Sequence, residues 1–347
     1  MNNNFEFYTD VDVTLYGSNA MESDIKTILK NHVCMAEKFN YKGTLITTSS
    51  TTLDPWMIAS HILENTQDFT PLLALQPYTM PPITAVKMVQ TLEVLYGRRI
   101  GINFVTGIST KGLSEAGVTL SHDELYIRLQ EYISLYDTLI RSGNDSVTFS
   151  GKYYELKDYR AKPNIPFTLF NENDRVPEIF VSGSSDNAIK TAIKYGNVYL
   201  THPGPIERYR DKILEINGDE TKLAIGIGVI AQAEESKAWS YARSVFKPNR
   251  KSIIEAAMKR SSHSQWIKDQ ADLSVEKDVF DHVYWTGAFK SNSLYPYIVG
   301  DYDQVASYLQ QYVDIGVQTF IIGGPYTEED YVHRQRVFQR LKKKEGS

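Results

Sequence analysis

The stretch Glu178-Ile-Phe-Val-Ser-Gly-Ser-Ser-Asp-Asn-Ala-Ile-Lys190 carries the residue types best suited to chemistry. It reads as a short buried strand, Ile179 to Val181, then a tight turn at Gly183, then a helix opening at Ser184 or Ser185. A helix start presents unpaired N–H groups and the positive end of its dipole, which suits a phosphate. Gly183 permits close backbone approach, and the two serine hydroxyls add donors. The same residues also make an ordinary joint in which Ser185 caps the helix and holds no ligand.

Other candidates are thinner. His202 follows a strand and can act as a base or hold an oxygen through a hydrogen bond; a loop histidine bonded to a carbonyl reads equally well. Thr47, Thr48, Ser49, Ser50, Thr51 and Thr52 form a hydroxyl-rich loop, ordinarily only a turn. At a catalytic face those donors can stabilise a peroxide oxygen in a water-poor pocket. Tyr284-Trp-Thr-Gly-Ala-Phe289 and Leu294-Tyr-Pro-Tyr297 suit either a lid over an apolar substrate or a small satellite core. His122, four residues before Tyr126 on one helix face, reads as packing. His32, His61, His263, His282 and His333 read as structural, and no histidine pair has zinc-ligand spacing beside a carboxylate.

The elements that must position these groups alternate strand and helix. Strands are expected at Phe5–Val13, Gly43–Thr48, Thr70–Gln76, Arg99–Gly107, Ile179–Val181, Asn197–Thr201, Leu223–Ala231 and Thr319–Gly323. Asp54-Pro55 and Pro81-Pro82 open helices between them, and a long helix spans Ser121 to Arg141. An exposed hairpin is expected around Ser150-Gly151, and residues 233 to about 297 exceed what one crossover needs, so they hold an insertion. Eight strands, each followed by helix, predict an α/β protein, a (β/α)8 barrel in one domain over residues 1–347; an open doubly wound sheet is the runner-up. A barrel places its site at the C-terminal strand ends. Those ends are rich in Thr, Ser, Asn and Gly and poor in carboxylates, which suits a cofactor better than a metal or a two-carboxylate hydrolase.

Composition narrows the class. A net charge of −5 gives no hint of nucleic acid, whose binding needs a basic face. Cys34 is the only cysteine, which rules out a disulfide framework. With no signal peptide and no membrane-length apolar run visible, a cytoplasmic protein is expected.

From about Lys26 to Phe338 the sequence resembles the flavin-dependent monooxygenases of the bacterial luciferase-like superfamily, and within it the alkanesulfonate monooxygenase branch. Gly97-Arg-Arg-Ile-Gly-Ile-Asn-Phe-Val-Thr-Gly107, Ser121-His-Asp-Glu-Leu-Tyr126, Phe149-Ser-Gly-Lys-Tyr-Tyr154 and Pro177-Glu-Ile-Phe-Val-Ser-Gly-Ser-Ser-Asp186 carry the likeness. So do Val299-Gly300, Tyr312-Val-Asp-Ile-Gly316 and Phe320-Ile-Ile-Gly-Gly324. The resemblance implies a barrel that takes reduced FMN from a separate flavin reductase and uses O2 to oxidise an organic substrate, small or carrier-bound. It implies Ser184 and Ser185 at the FMN phosphate, and Asn103, Val105 and Thr106 beside the flavin ring. Tyr126 falls on the ribityl or phosphate side, and Gln76 is a further cofactor contact. A homodimer is implied as well.

The departures matter. An Arg and a His of the sulfonate branch fall on Gly226 and Gly228, its active-site cysteine on Thr52, its loop arginine near Lys290 or Ser291, and its tyrosine after the eighth strand on Tyr326. Without an arginine to clasp an anionic head group, a simple sulfonate is not the expected substrate. The two glycines are expected to widen the pocket floor. A deazaflavin-dependent dehydrogenase on the same fold and a non-catalytic flavin-binding subunit are the alternatives.

Overall fold

The computed structural model describes residues 5–11, 24–49, 52–107, 110–160, 176–213, 216, 221–262 and 264–342. In chain order the first half runs β1 (Glu6–Val11), α1 (Ile25–Lys38), β2 (Gly43–Ile46), α2 (Pro55–Asn65), β3 (Thr70–Leu75), α3 (Pro82–Tyr96), β4 (Gly101–Phe104), α4 (Thr110–Glu115) and α5 (His122–Arg141). A separate antiparallel hairpin, β5 (Val147–Ser150) and β6 (Glu155–Tyr159), precedes β7 (Ile179–Ser182), α6 (Asp186–Tyr195), β8 (Val198–Thr201), α7 (Ile206–Ile213) and β9 (Lys222–Gln232). Next come α8 (Glu235–Val245), α9 (Arg250–Met258), α10 (Gln265–Glu276), β10 (Val279–Phe280), β11 (Tyr284–Trp285) and β12 (Tyr297–Asp301). The chain closes with α11 (Tyr302–Ile315), β13 (Val317–Gly323) and α12 (Glu328–Phe338).

The parallel order β9-β13-β1-β2-β3-β4-β7-β8 closes because β8 pairs back onto β9, from Val198 opposite Lys222 to Thr201 opposite Ile225. The expected (β/α)8 barrel is therefore borne out, and its eight strands are those read from the sequence. The local signals that start its helices are visible. Asp54 accepts from the N–H groups of Trp56 and Met57 ahead of Pro55, and Ser121 and Glu124 form a reciprocal capping box on α5.

Side chains alternate across each strand, so one face fills the barrel and the other meets the helices. Tyr8, Leu45, Leu72, Phe180, Val198, Leu200, Ala224 and Ile321 form the interior cluster. Phe7 and Phe320 point outward, and Phe7 stacks on Phe338 of α12 at 4.0 Å between ring centroids. Two residues beyond the interior cluster, at the C-terminal end, the inward positions are Asp10, Ser182, His202, Gly226 and Gly323. β9 overruns the mouth. Past Ile225 its edge passes from β8 to β12, which pairs with Gly228 to Gln232, and β11 and β10 add antiparallel strands beyond. The segment between β9 and β12 thus builds a wall on one side of the mouth.

Candidate active site

The site has two halves. On the first, Ser185 caps α6, its Oγ accepting the Ala188 N–H at 3.3 Å. The neighbouring Ser184 is 6% exposed, and its Oγ has no hydrogen-bond partner. A buried hydroxyl without a partner carries a free-energy cost, so it marks a place where a ligand acceptor fits. Gly183 has φ of +154°, where an L side chain is strained, and a Cβ there would lie 2.6 Å from the Ala188 Cβ and 2.8 Å from the Tyr126 hydroxyl. Burial raises the Tyr126 phenol above its ordinary pKa, and hydrogen bonding with Ser185 and Thr106 partly offsets this. Tyr126, Thr106 and Gly183 to Ser185 are therefore brought together.

Asn103 stands beside them on β4. The Ser182 hydroxyl donates to its Oδ1 at 2.6 Å, which orients the amide and leaves the Nδ2 donors for a ligand. Val105 continues the strand end, its N–H donating to the Leu75 carbonyl at 3.0 Å. Gln76 directly follows β3, buried, its carbonyl accepting from Thr79. Gly107, at φ of +97°, approaches the Tyr78 hydroxyl and Gln76 Nε2 so closely that a Cβ would lie 2.9 and 3.5 Å from them. A separate open pocket of about 340 Å³, lined by Tyr78, residues 116–120, Arg128 and Tyr153, includes none of the candidate cofactor residues. Ser184, Ser185, Thr106, Tyr126, Asn103 and Gln76 fit a phosphate-bearing planar cofactor such as FMN: a buried orphan hydroxyl at a helix start, and neutral donors along the strand ends.

The second half is aromatic. His202 Nδ1 lies 3.0 Å from the Gly226 carbonyl, and a carbonyl only accepts, so the proton sits on Nδ1 and the Nε2 lone pair is left open. The ring stacks on Trp266 of α10 at 3.8 Å and meets the edge of Tyr295 at 5.0 Å. Burial lowers its pKa to about 4, with the Gly226 carbonyl opposing, so it is neutral at pH 7. The expected widening of the floor at Gly226 and Gly228 does not occur, because other rings use the space. A Cβ at Gly226 would lie 2.8 Å from the His202 ring and 3.0 Å from Tyr295, and one at Gly228 would lie 2.2 Å from Tyr297. Gly323 likewise leaves room for Tyr295.

Tyr326 lies beyond Tyr295, with its hydroxyl engaged by β1 and β13. It bonds the Asp10 carboxylate, accepts the Asp10 N–H at 3.0 Å and reaches the Ile322 carbonyl at 2.6 Å. Burial and the Asp10 charge hold the phenol well above its ordinary pKa. Thr52 stands apart from both halves: its hydroxyl accepts the Ser49 N–H at 2.9 Å and donates to the Ser49 carbonyl, closing a local turn. Ser50 and Thr51 of that loop, and His263, lie outside the described residues. His122 packs on Tyr126 at 5.1 Å, and Lys290 pairs with Asp278 at 2.6 Å.

Of the two readings of the aromatic insertion, satellite core describes most of it. Trp285, Tyr295 and Tyr297 pack with Trp239, and Phe289 packs with Trp266, while Tyr295 and Trp266 also face His202. Trp266, Ser182, Asp10 and Tyr78 were not singled out from sequence. Ser182 had a signal, since it lies two residues from Ser184 on the same strand end. Trp266 had none, because only tertiary packing brings it to His202.

With this geometry in place, the comparisons with known proteins are direct. The luciferase-like monooxygenase family model matches residues 17–319. The chain belongs to that family. The 4-(gamma-L-glutamylamino)butanoyl-[BtrI acyl-carrier protein] monooxygenase BtrO of Niallia circulans is 36% identical over 317 residues, covering 90% of this chain and 91% of its own. Among solved structures, a riboflavin lyase determined with modified FMN aligns at a TM-score of 0.77 and 14% identity, over 99% of this chain and 94% of its own. The EDTA monooxygenase of Chelativorans sp. BNC1 aligns at 0.70 and 14%, over 97% and 93%. At such identities these two likenesses support the fold alone. The superfamily resemblance and the expectation of a monooxygenase-class enzyme are thus borne out, while the match does not single out the alkanesulfonate branch. Among the described residues, no helix is long and apolar enough to cross a membrane.

Proposed function

We propose that this protein binds reduced FMN, supplied by a separate flavin reductase, and uses O2 to oxygenate an acyl group carried as a thioester on a carrier protein. The observation that carries the cofactor half is the unpartnered Ser184 hydroxyl beside the capped start of α6. The substrate class follows the relative named for an acyl-carrier-protein substrate, and the glycines at 226 and 228 offer no cation to a sulfonate.

Ser184, Ser185, Thr106 and Tyr126 would hold the phosphate end, and Asn103, Val105 and Gln76 would border the ring. Bound reduced FMN supplies the two electrons that, with O2, place one oxygen atom on the substrate and release the other as water. The protein's own contribution lies around His202. Its Nδ1–H donates to the Gly226 carbonyl, so Nε2 is available to accept a proton or a hydroxyl hydrogen bond. Trp266 and Tyr295 cover two sides of the ring and limit the water that reaches it. Tyr326 ties the ends of β1 and β13 together through Asp10 and the Ile322 carbonyl, and Thr52 would act only if its turn with Ser49 opened toward substrate. The enzyme would work as a homodimer in the cytoplasm.

The test is anaerobic titration with reduced FMN and, separately, with a reduced deazaflavin, then addition of isotopically labelled O2 and a pantetheine thioester. Binding of FMN and one labelled oxygen in the product are expected. Binding of the deazaflavin alone, with no O2 consumed, would overturn the reading in favour of a dehydrogenase.

A further inference from the structure

Helix α9 is built inside out. Its inward positions are Ser252 and Ala256, whereas Ile253, Ile254 and Met258 are 47%, 52% and 69% exposed. A surface helix normally turns its apolar stripe to the core, so an isoleucine pair held in water while a serine is buried needs another explanation. Charge supplies one. Residues 243–260 carry Arg243, Lys247, Arg250, Lys251, Lys259 and Arg260 against the single acid Glu255, in a chain of net charge −5. Several of these cations are engaged: Arg260 with Asp272, Lys251 with Glu255, Lys259 over Phe289 and Arg243 over Trp239. Lys247 and Arg250 are exposed and held in no ion pair among the described residues. The outer face of α9 is thus mixed basic and apolar.

Its position relates it to the site. Ala256 on the inner face shares an apolar cluster with Phe289 and Trp266, and Trp266 stacks on His202. Helix α9 itself, about 10 Å thick, and the Phe289 and Trp266 rings beneath it stand between the outer face and the histidine. Resting on the proposed carrier-bound substrate, we infer that the outer face of α9 is the docking surface for that carrier protein, an acidic partner that delivers its thioester on a flexible arm. Acidic side chains of the partner meet Arg250, Lys251 and Lys247, and its apolar residues cover Ile253, Ile254 and Met258. Opposite charge steers the encounter and apolar contact at the centre holds it. An exposed patch of this kind on an otherwise acidic chain marks an interaction site.

The experiment compares one acyl group, the 4-(gamma-L-glutamylamino)butanoyl thioester, on its carrier protein and on pantetheine. The variants are Arg250→Glu with Lys251→Glu, and separately Ile254→Ser, all at exposed positions. Both variants are expected to lose about tenfold in kcat/KM on the carrier-borne form, mainly through KM, and to stay within about twofold on pantetheine. Added salt should weaken the wild type on the carrier form alone. Equal losses on both forms, or none, overturn the inference. So does a change in oligomeric state seen by sedimentation, which would assign the face to a second copy of this chain. A wild type that oxygenates the pantetheine form but ignores the carrier form overturns the docking surface and leaves the chemistry standing. One that oxygenates neither removes the proposed function itself.

Discussion

Ser184 shows how one atom can define a site. A buried hydroxyl gains nothing from its surroundings until an acceptor arrives, and a phosphate oxygen would satisfy it through a charge-assisted bond of about 1.5–3 kcal/mol. Ser184→Ala should therefore weaken reduced-FMN binding by about ten- to a hundredfold in a fluorescence titration, while the unfolding midpoint of the flavin-free protein holds or rises because the orphan hydroxyl is gone. Retained affinity would place the phosphate elsewhere. Gly226 acts by the side chain it lacks. Because a Cβ would sit 2.8 Å from the His202 ring, Gly226→Ala must push the imidazole off its carbonyl or off Trp266. Turnover should fall by about tenfold or more while FMN affinity changes less, since the candidate phosphate residues sit on β7 and α6 and not on β9. Equal turnover would mean that His202 takes no part in the chemistry.

At the scale of elements, much was legible in the sequence. Asp54 before Pro55, the Ser121–Glu124 box and the apolar strand runs are local signals, and each stands where local chemistry puts it. The turn at Gly183 and the cap at Ser185 were legible for the same reason. What sequence could not show was the use of the glycines. Gly228 faces Tyr297, 69 positions along the chain, and nothing within a window of β9 announces that a ring will fill the missing side chain. The exchange is one of volume: the wall between β9 and β12 inserts rings where β9 withholds side chains. Gly228→Ala should accordingly overpack this joint and cost about 1–3 kcal/mol in urea unfolding. A smaller loss would show that Tyr297 can swing aside, freeing its bond to the Gly324 carbonyl.

Across the whole molecule, two half-buried histidines and one buried glutamate bear on how stability follows pH, and they pull in opposite directions. Burial lowers both His32 and His202 to about 4, from 6.5 in the unfolded chain. Between those values the unfolded state holds the extra protons, so stability is full above pH 6.5 and is lost as pH falls toward 4. Both rings keep some solvent access, and each contributes about 2 kcal/mol. Glu93, bonded to Arg99 at 3.0 Å below β4, behaves the other way. Burial raises it to about 7 from 4.5 despite the arginine. The folded state holds its extra proton between those values, so stability rises as pH falls from 7 to 4.5, by about 2 kcal/mol. The protein should then lose only about 2 kcal/mol between pH 7 and 4 from these groups, since Glu93 cancels one histidine. Glu93→Gln fixes that side chain neutral and removes the compensation, so its urea midpoint should fall about twice as steeply over the same range. His32→Gln should flatten the wild-type curve instead. Parallel slopes for Glu93→Gln and the wild type would show that Glu93 keeps its ordinary titration, and that the Arg99 pairing outweighs burial.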